Sequence, residues 1–187
     1  MADQKISAMP NAATLTGAEL VPLVQDGANV KATINDLSAF TESIYSGYGD
    51  IYVASGSTSQ TTSSTANTYT TLTAFTTNGL DNGAVTADAA NDRLTLGTGI
   101  YQITFNATFT ATNNHTFLFR CFNSTAATAF ANTVTKNHTQ STDPHQVGFS
   151  GLISVTGTTN VVVQFASADT SQPLTINEAN FIAVQVG

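Results

Sequence analysis

Three histidines, His115, His138 and His145, one cysteine, Cys121, and twelve carboxylates are the side chains of this sequence best suited to chemistry. A zinc centre takes three or four nitrogen or sulfur ligands, with characteristic short spacings between pairs of them. The histidines show no such spacing, and Cys121 stands inside the apolar run TFLFRCF, where a buried, inert thiol is expected rather than a nucleophile. His138 and His145 are close enough in sequence to share one surface loop, and they read as solvated imidazoles. The densest set of oxygen ligands is LDNGAVTADAAND, with Asp81, Asn82, Asp88, Asn91 and Asp92. Calcium takes oxygen ligands, but this spacing matches no EF-hand loop. Asp-Asn-Gly and Ala-Asn-Asp are also ordinary turn sequences. A glycosidase needs two carboxylates across a cleft, and most acids here sit beside Gly or Asn in turn contexts. Gly-x-Ser-x-Gly elbows, P-loops and dinucleotide fingerprints do not occur. The sequence therefore predicts no catalytic residue, metal site or cofactor.

Binding is the remaining class of function, and charge narrows it. Charged residues make up 9% of the chain, against roughly 25% in an average soluble domain. The five basic residues, Lys5, Lys31, Arg93, Arg120 and Lys136, are scattered through a chain of net charge −7. Nucleic acid and anionic membrane surfaces are disfavoured, because both call for clustered Lys and Arg. Apolar runs stay well short of the ~18 residues of a membrane span, so no membrane insertion is expected. The start MADQKISAMP shows no signal-peptide pattern, which points to synthesis in a cytoplasm. Thr, Ser, Asn and Gln must supply the polar surface, as in long-lived extracellular or virion β-proteins.

The elements that would position any binding group are strands. In GIYQITFNATFTA, Tyr101, Ile103, Phe105, Ala107 and Phe109 alternate with polar residues, the period of a half-buried antiparallel strand. HTFLFRCF is apolar on both faces and reads as central in a sheet or at a subunit contact. HQVGFSGLISV, NVVVQFASA and NFIAVQVG complete the strong set. DIYVAS, TYTTLTAF, GAVTAD, DRLTLG and ANTVTKN are weaker candidates. About ten strands with little helix predict an all-β, antiparallel jelly-roll sandwich. Its expected core is Tyr101, Ile103, Phe105, Phe109, Phe117, Phe119, Phe149, Phe165 and Phe181.

The first 45 residues read differently. LVPLVQ and ANVKATI flank Asp26-Gly27, a hairpin signal. After Thr33, apolar residues at spacings of three and four predict a short amphipathic helix that Gly47 and Gly49 stop. A turn, a hairpin and one short helix are too small to bury their own apolar side chains. Ile6, Pro10, Leu15, Leu20, Pro22, Leu23, Val24, Ile34, Leu37 and Phe40 therefore need an outside surface. Residues 46–68 read as a first strand followed by the polar, low-complexity linker SGSTSQTTSSTANT, and residues 69–187 as the sandwich.

These residues also carry two resemblances. The stretch from Ile6 to Leu37 resembles a segment near the start of many tailed-phage virion proteins, often fibres. The features that match are Ile6, Ser7 and Pro10; Leu15 to Leu20, Pro22, Val24 and Gln25; and Lys31, Thr33, Asp36 and Leu37. Met9 stands where Leu is common. The body resembles the trimeric jelly roll of tumour necrosis factor and the complement globular heads, through TANTYTTLTAF, Gly99-Ile100-Tyr101, Phe117, Phe119 and the terminal FIAVQVG. The first resemblance implies an assembly segment that docks on a phage capsid or tail protein. The second implies a homotrimer with both chain ends at one pole.

Together they suggest a structural protein of a virion: a short trimeric head fibre or capsid decoration protein, anchored by its N-terminus and displaying a knob. A short anchor without a long shaft suits the head better than the tail. A tail fibre with receptor-binding function and a free-standing lectin-like module are the alternatives. A host-surface glycan or protein would be met by Asn113, Asn114 and His115, and by the polar stretch 135–146 with His138 and His145.

Overall fold

The structure, a computed structural model, describes residues 18, 20–25, 28–35, 47–54 and 58–187. The chain divides into two units, Met1–Ile44 and Tyr45–Gly187.

In the first unit, β1 (Leu20–Gln25) pairs antiparallel with β2 (Ala28–Thr33), leaving Asp26 and Gly27 between them. Residues 34–35 are helical, where the sequence predicts a helix start. Ile6, Pro10, Leu15, Leu37 and Phe40 lie outside the described residues. So do the rest of the expected helix and the turn before the hairpin.

The second unit is built from antiparallel strands in two sheets. They are β3 (Gly47–Tyr52), β4 (Thr58–Thr61), β5 (Thr70–Thr71), β6 (Thr77–Gly83), β7 (Val85–Asp88), β8 (Arg93–Leu96), β9 (Gly99–Ala111), β10 (Thr116–Asn123), β11 (Thr128–Ala129), β12 (Thr135–His138), β13 (His145–Val155), β14 (Thr159–Ser167) and β15 (Pro173–Gln185). One sheet runs β13-β9-β15-β3-β6, with β4 also on β15. The other runs β11-β10-β14-β8-β7, with β12 on β10 and β5 on β14. Most neighbours in these sheets are non-sequential, as in a jelly roll; only β10–β11 and β7–β8 pair with the next strand in the chain.

The alternation in β9 sets its facing. Tyr101, Ile103, Phe105 and Phe109 are completely buried, as are Phe117 and Phe119 from β10, Phe165 from β14 and Phe181 from β15. Phe149 of β13 joins them. Aromatic rings interlock the two sheets: Phe105 lies 5.9 Å from Phe119, and Phe109 meets Phe117 edge-on at 5.7 Å. Tyr101 keeps its hydroxyl satisfied by donating to the Gly97 carbonyl at 3.1 Å.

Two expectations are corrected. The polar stretch after Tyr52 is not all linker, because Thr58–Thr61 forms β4, in register with Pro173–Ile176 of β15. The stretch 135–146 is not one loop either. Thr135–His138 pairs with Thr116–Phe119, and His145 begins β13, which leaves only 139–144 as the connection. In both places β-branched threonines meet an available strand edge, and distant partners supply the order.

Candidate functional site

The strand directions place function-bearing groups at opposite poles. Gly47 opens β3 against Gln185, and the Gly187 carbonyl accepts from the Ile100 N–H at 2.6 Å. The chain thus enters the body and ends at one pole. At the other pole lie the turns 112–115, 139–144 and 168–172.

That distal pole holds the sequence-predicted loop residues. Asn114 adopts a left-handed backbone (φ 61°) in the turn that contains Asn113, a conformation Asn tolerates well. Its N–H donates to the Thr139 carbonyl. His115 Nδ1 lies 2.7 Å from Asp169 Oδ2, joining two of the turns. His138 Nδ1 lies 3.0 Å from the Thr116 hydroxyl. His145 is drawn inward: its ring sits 5.7 Å from Phe109 and its Nε2 faces the Ser141 carbonyl. His145 is therefore a packing residue at the top of the core, whereas His115 and His138 cross-link the pole.

The acidic stretch is occupied by structural work. Asp81 accepts the Ala87 N–H, Asn78 the Ala89 N–H, and Asp92 the Phe75 N–H. Asp88 binds Asn91 and Arg93. Desolvation raises the Asp92 pKa, while its Asn91 and Arg93 bonds lower that of Asp88. Burial pushes the Cys121 thiol far above its ordinary range. Among the described residues no three His, Cys, Asp or Glu side chains gather into a metal-binding group. No helix among them is long and apolar enough to cross a membrane.

The larger feature is the outward face of the β13-β9-β15-β3 sheet. Leu152, Gln102, Val184 and Tyr48 stand opposite one another in a single row across four strands, and Ile100 and Val186 flank it. Leu152 is 58% exposed, Val186 54%, Ile100 44%, Val184 43% and Tyr48 42%. These are apolar side chains turned to solvent next to the pole where the chain enters. Further toward the distal pole the same face becomes polar. A shallow depression of about 500 Å³ there is lined by Asn106, Thr108, Gln146, Glu178 and Asn180 over Gly148. A Cβ at Gly148 would strike Asn106 Oδ1 and the Phe105 carbonyl, so glycine keeps that floor open. Among the outward residues of β9, β13 and β15, Glu178 is the only charged one.

Sequence reasoning did not find this face. Its rows draw on positions 48, 102, 152 and 184, and only the strand register brings them together. The available signal was a minor one: apolar residues at Ile100, Val184 and Val186 in positions where the alternation calls for polar ones. Of the expected anchor residues, Leu20 is exposed and Ile34 half-buried, while Pro22, Leu23 and Val24 lie within β1.

No family model matches the chain, and no curated protein matches it. Solved structures do. The globular domain of zebrafish complement 1qA protein is 11% identical, covering 75% of this chain and 98% of that one, with a TM-score of 0.47. Eiger TNF from S. frugiperda is 7% identical, over 75% and 91% of the two chains, with a TM-score of 0.49. The PRD1 vertex protein P5 is 16% identical, over 77% and 98%, with a TM-score of 0.47. These are likenesses of chain path.

Proposed function

We propose that the chain is a structural protein of a tailed-phage particle, a short head-mounted fibre or decoration protein. Three copies of its β-sandwich associate into a knob, and its first 45 residues join it to the particle. The observation that carries the reading is the uncovered apolar row Leu152–Val184–Tyr48, with Ile100 and Val186, at the pole where the chain enters.

Such a row is costly to leave in water, on the order of 1 kcal/mol for each half-exposed aliphatic side chain. The face is also large enough to matter. Four or five strands about 4.8 Å apart, over about five rows, give roughly 650–800 Å², close to the area each partner contributes to a standard interface. The outward face of β13, β9, β15 and β3 carries two charges, Glu178 on β15 and Asp50 on β3, so two copies can meet there while desolvating few ions.

The segment 6–37 supports the particle assignment through its resemblance to tailed-phage virion proteins. Its hairpin suits attachment by main-chain pairing and a few apolar anchors. The distal pole, with His115 and His138, is the part of a knob so attached that faces outward. Deleting residues 1–45 tests the reading. The shortened protein should keep its oligomeric state and thermal unfolding, and should be absent from purified particles. Normal incorporation, or loss of folding, would refute the assignment.

A further inference from the structure

The second sheet carries a cation with no ion-pair partner among the described residues. Arg120 of β10 stands directly opposite Gln164 of β14, and both Nε and Nη2 donate to Gln164 Oε1, at 3.0 and 2.7 Å. The guanidinium carbon lies 3.7 Å from the centroid of the Tyr69 ring and 5.2 Å from that of Phe122. A neutral amide and two aromatic faces thus hold the group in place, and among the described residues no carboxylate forms an ion pair with it. Arg120 is half-buried, and its Nη1 has no partner among the described residues.

Lys136 lies on the same outward face. It is exposed and pairs in register with Leu118, two residues before Arg120. Residues 45–187 hold seven carboxylates and three Lys or Arg side chains. The third cation, Arg93, is bound to Asp88. Among the described residues, the two cations of this acidic body that lack a carboxylate partner therefore share one face, apart from the apolar row on the other sheet. An arginine fixed on aromatic rings is a preorganised fork for a planar anion.

We infer that Arg120, with Tyr69, Phe122 and Lys136, forms a binding site for an acidic saccharide. Arg120 takes a sugar carboxylate through Nη1, Lys136 attracts a neighbouring carboxylate, and the aromatic rings meet the apolar face of a pyranose. Gln164 is a positioning residue. A glutamate there would keep the geometry and cancel the charge.

The test is titration of the full-length protein with tetragalacturonate, followed by NMR or calorimetry. The methyl ester of the tetrasaccharide and inorganic phosphate serve as comparison probes. Saturable binding is expected for the acid, weakened by salt and absent for the ester. Arg120→Gln and Gln164→Glu should each lower affinity by about tenfold or more, and Lys136→Ala by a smaller factor. Gln164→Glu should leave the unfolding temperature unchanged or higher, which separates recognition from a purely structural role of Arg120. No saturable binding up to about 10 mM, equal binding of the ester, full competition by equimolar phosphate, or retained binding in Gln164→Glu would overturn the assignment.

Discussion

Tyr48 and Val184 stand directly opposite each other on neighbouring strands, and both side chains point out of the sandwich into solvent. Their backbone neighbours, Gly49 and Ala183, are buried on the core side. One register thus builds the hydrophobic core and an uncovered apolar surface at once.

If it is the contact between copies, a charge placed in its centre should separate them. Val184→Glu puts a carboxylate opposite Tyr48, where burial would leave it unpaired. The expected outcome is a shift of the protein to monomer in light scattering, with its β-rich circular dichroism kept at low temperature. An unchanged oligomer would remove this face from the contact.

The facing of β9 has its own test. Phe105→Ala removes a ring packed 5.2 Å from Phe149 and 5.9 Å from Phe119, and should cost about 3–5 kcal/mol in chemical denaturation. Thr104→Ala removes only an exposed hydroxyl contact with Ser150, and should cost less than about 1 kcal/mol. Equal losses would contradict the facing.

That facing was legible in the sequence, because burial on one side of a strand imprints a period of two on a run as long as β9. Other parts were not. Thr58–Thr61 is polar on both faces, so its place as β4 depends on Pro173–Ile176, more than a hundred residues away. Thr135–His138 is a strand because β10 offers it an edge. His145 reads as a loop residue until Phe109 appears across the sheet. The site was less legible than the fold. Arg120 looks like an isolated cation until register brings Gln164 beside it and the chain lays Tyr69 over it.

Asp92 links pH to stability. It sits in a left-handed turn (φ 52°), and its carboxylate accepts the Phe75 N–H. Desolvation raises its pKa above the ordinary aspartate value, so the folded state holds its proton more tightly than the unfolded chain does. This group's contribution therefore falls as pH rises from about 4 through its folded pKa, and is restored on acidification. Asp92→Asn keeps the acceptor and suits the left-handed backbone, so it should leave neutral-pH stability unchanged or raised and flatten that pH dependence. Asp92→Ala strands the Phe75 N–H and should cost about 1–3 kcal/mol. Thermal melts from pH 4 to 7 compare the three proteins.

At the distal pole, His115→Ala breaks the pair with Asp169 and frees the 112–115 turn from the 168–172 turn. The pair is part-exposed, so global stability should move by less than about 1 kcal/mol. Faster amide exchange confined to those two turns is the expected signature. Protection spread unchanged across both would show that the Asn114–Thr139 backbone bond holds the pole without it.

The mass of the full-length protein in solution bears most directly on the account. Light scattering or sedimentation at micromolar concentration should give three times the 19.4 kDa chain mass. A folded monomer at that concentration, with Ile100, Leu152, Val184 and Tyr48 open to solvent, would contradict it.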